Sequence, residues 1–484
     1  MSIPVTSFEL QAIPESSIIL FMRKKNNLVL KIALGLLALA IVAVGLYFVP
    51  PIHAKLAWRL DDLRVSVVYF FHPPEKVAFH PSGQSVATTT PELPVPTLTP
   101  PPPTVTSIPT ELATSTVTTT PPPASVILDN VVFVDQMGRY NYCGPSNLAM
   151  ALEYWGWKGE PDKSQYDIRD QVALVVKPGE NDPNTNFVER GNTDVNVMPY
   201  EMVDYVNENT TLRALFRYGG DADLLKRLIA AGFPPITEKG LYEPLLPDYS
   251  IQWGGHYSFT TGYDDATQEF IWQDSYLPPS KPVGKDSRSP YAEYISNWRA
   301  FDYVFIVVYP PEREQELNQV LGPWTDQYWA AQHALDIADQ EIASQTLSGN
   351  DLFFAMFNRV TSLINLQNPD YGPAGAAFDQ ANAYYNTLPQ NKLIPFRVMW
   401  YETAPYSAYY NSGRYQDVIN LAHVNLDERI TKPRSLEESW FWLSRAEYAL
   451  GQYDQAYADM RTALYYHPNF PSALDMFSLW GVNP

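Results

Sequence analysis

Gln136-Met137-Gly138-Arg139-Tyr140-Asn141-Tyr142-Cys143-Gly144-Pro145 leads directly into Ser146-Asn147-Leu148-Ala149-Met150-Ala151-Leu152-Glu153-Tyr154-Trp155, and it carries the one cysteine of the 484-residue chain. The second piece favours helix, and Pro145 suits a first turn, where a missing N–H costs nothing. Cys143 therefore falls at or just before a helix N-terminus. There the partial positive charge of the free N–H groups stabilises a thiolate and lowers the thiol pKa. The competing reading is a small buried hydrophobe, the usual fate of a lone cysteine. Ahead of this segment lies a β-prone run, Val131-Val132-Phe133-Val134.

Residues 126–311 hold a single histidine, His256, in Trp253-Gly254-Gly255-His256-Tyr257-Ser258-Phe259-Thr260-Thr261-Gly262-Tyr263. This reads as a strand entered through two glycines. Asp264-Asp265-Ala266-Thr267 is a turn signal, and Glu269-Phe270-Ile271-Trp272-Gln273-Asp274 is the return strand. A hairpin centred between Asp265 and Ala266 sets His256 opposite Asp274 within one residue of register, with Cβ atoms roughly 4.5–5.5 Å apart. A carboxylate there can accept a hydrogen bond from one imidazole nitrogen and leave the other to face a thiol. Asp264 and Asp265 are rivals for that role, although a turn position favours solvated side chains. An ordinary structural histidine remains the competing reading for His256.

Gln136, six residues, then Cys143-Gly144-Pro145 and a helix, followed by Gly-His on a strand and Asp at the end of the next, resembles the papain-like cysteine peptidases. The closer likeness is to the branch related to the bacteriocin-processing, double-glycine-leader peptidases. The segment Asp223-Leu224-Leu225-Lys226-Arg227-Leu228-Ile229-Ala230-Ala231-Gly232, a helix feeding the strand Pro234-Pro235-Ile236-Thr237-Glu238, fits that pattern. The resemblance implies Cys143 as nucleophile and His256 as general base and then acid. It implies Asp274 as the group that orients the imidazole. Gln136 and the Cys143 backbone N–H would form the oxyanion hole. An ordinary loop glutamine is the alternative for Gln136. Residues 158–200 read as a long insertion.

Composition bounds the remaining chemistry. One cysteine excludes a disulfide framework and any multi-thiolate metal cluster, and the expected chemistry calls for no cofactor. Net charge is −20. Residues 1–125 contribute 8 Lys/Arg and 7 Asp/Glu, 126–311 contribute 15 and 26, and 312–484 contribute 10 and 20. Two acidic folded parts argue against a nucleic acid partner.

Ile32 to Val49 is an 18-residue run without a charge. At about 1.5 Å per residue it covers roughly 27 Å, close to a bilayer core. We expect a transmembrane helix at 28–50 after a cytoplasmic segment 1–27; a cleaved signal peptide is the alternative. Arg23, Lys24, Lys25 and Lys31 precede the span, against Lys55, Arg59 and Arg64 beyond it. The positive-inside rule then gives a single-pass plasma-membrane protein with its bulk extracytoplasmic. A juxtamembrane segment, 51–85, leads to residues 86–124, where Thr and Pro supply 24 of 39 residues (13 Thr, 11 Pro). Such a stretch cannot bury a core and reads as a disordered stalk, on the order of 120 Å when fully extended.

From 312 to 484 the pattern is helical. Trp440, Leu443, Gly451, Tyr453, Ala456, Ala463 and Pro468 fall at tetratricopeptide-like spacing. Tyr409 and Gly413-Arg414-Tyr415 echo it 38 residues upstream, and further helices are expected at 326–346, 350–367 and 373–387. Trp324, Trp329, Trp400, Trp440 and Trp442 read as core. His333, His423 and His467 are scattered and receive no role.

The expected architecture is thus multidomain. An α+β papain-like peptidase domain (126–311) is joined to an all-α tetratricopeptide-like domain (312–484), behind a single N-terminal transmembrane helix. The expected function is hydrolysis of peptide bonds in a peptide or protein substrate, with the helical repeats holding the substrate or a partner protein. A transglutaminase-like acyl transferase needs the same triad, and a stalked, non-catalytic binding scaffold needs none of it. Both stay open at this level.

Overall fold

A computed structural model describes residues 122–136, 142–176, 197–241, 253–277, 283–389, 394–395, 398–426 and 436–484, with Lys31, Leu34, Gly35, Ala38 and Gly45 as helical positions near the N-terminus. The expected span at 28–50 lies largely outside the described residues, and the stalk at 86–124 lies outside them but for its last three. Among the described residues, no helix is long and apolar enough to cross a membrane.

Seven strands form one antiparallel sheet. They are β1 (Ser125–Ile127), β2 (Arg213–Arg217), β3 (Pro235–Leu241), β4 (Gly254–Asp264), β5 (Glu269–Gln273), β6 (Ser287–Pro290) and β7 (Phe305–Tyr309). The order is β2-β7-β3-β4-β5-β6. β3 covers one edge of β4 from Gly254 to Phe259, and β1 pairs with β4 at its other end, Gly262 to Asp264. The run Val131–Val134 takes no strand; Ser125–Ile127 supplies the N-terminal pairing instead.

Alternation along these strands gives the sheet two apolar faces. Ile236, Tyr257, Phe259, Ile306 and Val308 pack under α1 (Cys143–Tyr154), α2 (Ile168–Val176) and α3 (Pro199–Asn209). Trp272, Phe305 and Val307 pack under α4 (Ala222–Ala230), α5 (Tyr291–Arg299) and α6 (Glu314–Leu321). The expected helix at 223–232 thus starts one residue early, where Asp221 Oδ1 accepts from Leu224 N (2.6 Å) as an N-cap. The 158–200 insertion includes all of α2 and the first two residues of α3.

Beyond β7 the chain is helical: α7 (Gln327–Ser344), α8 (Gly349–Asn365), α9 (Tyr371–Tyr385), α10 (Val398–Tyr401), α11 (Ala404–Asn411), α12 (Tyr415–Asn425), α13 (Glu437–Ala449), α14 (Tyr453–Tyr466) and α15 (Pro471–Trp480). Gly413 and Gly451, the two glycines of the echoed pattern, adopt φ of +77° and +80° in the turns α11/α12 and α13/α14. Only a residue without a Cβ takes that conformation cheaply. Trp324 and Trp400 are buried as expected, Trp440 and Trp442 pack at the margins of the core, and Trp329 is exposed.

A third cluster joins the sheet to the helices. Trp253, at the mouth of β4, stacks on Phe301 (6.1 Å) and on Phe354 of α8 (5.6 Å), with Tyr401 of α10 edge-on (6.0 Å). Ala300, Phe301 and Val304 belong to the same cluster as Phe353, Phe357, Phe378, Tyr406 and Leu421.

Candidate active site

Cys143 is the first residue of α1, preceded by Tyr142 at the N-cap, and its thiol is partly buried. Gly144 follows because the space is taken: a Cβ there would lie 3.2 Å from Val197 Cβ and 3.5 Å from Met202 Sδ. One turn on, the buried Asn147 side chain donates to Cys143 O (2.8 Å), to Tyr257 O on β4 (3.0 Å) and to Ser275 Oγ (3.4 Å). A single amide therefore ties the start of α1 to the strand that bears His256.

His256 Nε2 lies 2.9 Å from Asp274 Oδ1, and both side chains are buried, at 6% and 2% exposure. With Nε2 on the carboxylate, Nδ1 is the nitrogen left for the Cys143 thiol, to which His256 is hydrogen-bonded. The register differs from the expected one. β4 and β5 pair as Phe259↔Gln273 and Thr260↔Trp272, so continued pairing would bring Asp274 opposite Ser258 rather than His256. The turn is centred one residue later, which shifts the pairing by two positions, and a bulge at Thr261 gives one of them back. Asp274 and His256 are same-face diagonal neighbours, a separation long side chains can close. Gln273 Nε2 donates to Thr261 Oγ1 (2.8 Å), which pins the bulge. The rivals are engaged elsewhere: Asp265 binds Lys226 Nζ (2.6 Å) and Tyr291 Oη (2.8 Å), and Asp264 faces Arg288 (3.7 Å).

Electrostatics favour a charged pair. Burial opposes charge on His256, but the hydrogen bonds to Asp274 and Cys143 and their negative charge outweigh it, raising the imidazole pKa to about 9. Burial likewise pushes the Cys143 thiol up. The His256 hydrogen bond and charge, with the Tyr257 and Gly144 backbone, bring it below its ordinary value. Both shifts favour the thiolate–imidazolium form of the pair over the neutral one.

Gln136 is also at the site. Its backbone N–H donates to Ser275 O (2.8 Å), and its Oε1 accepts from Ser275 Oγ (2.9 Å). Because the oxygen end is engaged, the Nε2 end is the one presented as donor. Asn147, Ser275 and Gln136 thus form a relay that fixes amide orientation. Neither Asn147 nor Ser275 was visible as a site residue in the sequence; helix spacing (i, i+4 from Cys143) is the one signal that points to Asn147.

Buried carboxyls lie behind the pair. Glu238 pairs in register with Tyr257, and burial together with nearby Glu402 raises its pKa well above the ordinary carboxylate range. Tyr257 Oη gives its proton to Val197 O (2.7 Å). Its hydrogen bond with Glu238 then needs the proton of a neutral carboxylic acid. Glu402, just after α10, is pushed up to about 8 by burial and by Glu438.

Residues 128–306 match the model of the Peptidase_C39 like family. The C39-like stretch spans the whole sheet but for β1 and the last strand's end, and includes Cys143, His256, Asp274 and Gln136. Two solved structures are similar: a protein described as a C39-like peptidase from Bacillus anthracis (19% identity, 38% of this chain and 96% of that one, TM-score 0.28) and xylellain, a cysteine protease from Xylella fastidiosa (22% identity, 39% and 86%, TM-score 0.23). No curated relative matches the chain.

Proposed function

We propose that the chain is a cysteine peptidase that hydrolyses peptide bonds through Cys143, His256 and Asp274, with Gln136 in the oxyanion hole. The observation that carries this reading is the continuous chain from Asp274 through His256 to a thiol at a helix N-terminus. The Cys143 thiolate attacks the scissile carbonyl carbon, and the oxyanion takes hydrogen bonds from the Cys143 backbone N–H and Gln136 Nε2. His256 passes its Nδ1 proton to the leaving amine, which departs and leaves a thioester. His256, now neutral, takes a proton from water as that water attacks the thioester, and collapse releases the acid and restores the thiolate–imidazolium pair. Asp274 keeps its charge throughout and holds the imidazole by Nε2.

The same proposal places the enzyme outside the cytoplasmic membrane on an anchor at 28–50, supported by the uncharged 18-residue run and the Thr/Pro-rich stretch after it. The helical region is proposed to hold the substrate or a partner, supported by its direct packing on β4. The test is peptide-library digestion by the full chain, wild type against Cys143→Ser and His256→Ala. Cleavage that vanishes in both variants is the expected result. Cleavage that survives Cys143→Ser, or no cleavage by a wild type whose Cys143 reacts only as an ordinary thiol, rejects the reading.

A further inference from the structure

His467 follows the last residue of α14, and its ring lies flat against Phe470 (centroids 5.1 Å apart, planes 7° apart). Only 3% of the residue is exposed, yet its Nδ1 has no hydrogen-bond partner. A buried ring nitrogen left this way is costly. That nitrogen faces two carboxylates, 3.6 Å from Glu437 Oε1 and 3.7 Å from Glu201 Oε1. Both distances are too long for hydrogen bonds. Glu201 and Glu437 are themselves buried, at 7% and 5% exposure, and the three donor atoms lie within 4.8 Å of one another.

Three separate elements converge here. Glu201 lies in the first turn of α3, where its Oε2 accepts from Met198 N (2.7 Å), so the carboxylate is fixed by the helix start it caps. Glu437 opens α13, and His467 closes α14. A tetrahedral ion with ligands at roughly 2.0–2.1 Å holds its donors about 3.3–3.4 Å apart. The two separations from His467, 3.6 and 3.7 Å, need a contraction of only a few tenths of an ångström, and the two carboxylate oxygens, within 4.8 Å of each other, would close onto the ion with them. An octahedral shell at similar bond lengths would need about 3.0 Å, a larger movement. One imidazole with two carboxylates is a zinc-type donor set, whereas calcium and magnesium prefer all-oxygen shells.

We infer that Glu201, Glu437 and His467 form a buried binding site for a divalent transition-metal ion of the zinc class, with water as the fourth ligand. The ion clamps the terminal helices to α3. Met202 on α3 packs against Gly144, so the clamp braces the wall behind Cys143. None of the three ligands belongs to the Cys143, His256 and Asp274 set, and metal binding here does not depend on its activity.

The test uses the full chain carrying Cys143→Ser, so that the thiol cannot bind metal, stripped with a chelator and titrated with Co²⁺ and with Zn²⁺. The expected result is a four-coordinate Co²⁺ absorption spectrum that Zn²⁺ abolishes, and a rise in Tm on adding Zn²⁺. Adding His467→Gln or Glu437→Gln should weaken binding on the order of 100-fold or more and remove the Tm rise. The isosteric Glu437→Gln keeps the test readable where His467→Gln fails to fold, as judged by circular dichroism. Absence of both signals in the parent, or affinity unchanged in a folded variant, overturns the inference.

Discussion

Replacing Asp274 by Asn keeps the shape of the side chain and removes the charge that His256 Nε2 meets at 2.9 Å. The His256 pKa of about 9 stands about 2.5 above the ordinary 6.5, and at 1.36 kcal/mol per unit this is about 3 kcal/mol of preference for imidazolium. Asp274 and Cys143 share that preference against the cost of burial. Losing Asp274 should therefore lower the imidazole pKa, and over the pH range where the imidazole is then neutral the Cys143 thiol loses its cationic partner and is harder to ionise. Two effects on thiol reactivity then oppose each other. Below the thiol pKa, thiolate population falls about tenfold per unit, while intrinsic nucleophilicity rises only about threefold per unit. Population wins at low pH. Where the variant imidazole has lost its charge, reaction of Cys143 with a small disulfide such as dithiodipyridine should be slower in Asp274→Asn, by about threefold for each unit that the thiol pKa rises. Above both thiol pKa values the variant should be the faster of the two, so the pH–rate curves cross. Parallel curves, or curves that coincide, would refute the argument that Asp274 acts on the thiol through the imidazole. A matched Tm for the two proteins excludes a folding defect as the cause.

Gln136→Ala removes a side-chain donor to the oxyanion, so kcat on a cleaved peptide should fall about 10²–10³-fold while the thiol's pH profile stays unchanged; a changed profile would mean that Gln136 acts on the thiolate instead. Glu402 should ionise near pH 8 in the folded chain and near 4.5 when unfolded. Between those values the unfolded state loses its proton first, so Glu402 costs stability as pH rises. Glu402→Gln should match the wild-type Tm at pH 5 and exceed it increasingly toward pH 8, and a pH-independent difference would contradict this. At Gly255, a Cβ would lie 2.7 Å from Phe301 Cζ and 2.9 Å from Tyr401 Cε1. Gly255→Ala should cost about 1–3 kcal/mol in denaturant unfolding, and a neutral result would mean that the rings yield freely.

Much of this was legible because it is local. The helix after Cys143 is written in Gly-Pro and an Ala/Leu/Met run, and the β4–β5 hairpin in alternation broken by a turn signal. The helices at 326–346, 350–367 and 373–387 match α7, α8 and α9 to within a few residues. What escaped depends on geometry that no short window encodes. The bulge at Thr261 moves the register without marking itself in composition. Asn147, Ser275 and Glu238 draw their significance from partners more than a hundred residues away, or across a strand pair. His467 looks unremarkable in sequence, since Glu201 lies 266 positions upstream of it, and only folding places the two side by side. Hydrophobic run length suggested the anchor, and that stretch lies largely outside the described residues.

Trp253, Ala300, Phe301 and Val304 are at once part of the C39-like stretch and part of a core completed by α8 to α12. The peptidase-like portion is therefore not a portable module. Grafted onto another chain, or left behind by a recombination event near residue 311, it would turn an indole and its aromatic neighbours out into water, directly beside the strand that carries His256. Selection on one portion is felt by the other, so the two should be inherited, exchanged and lost as a single piece.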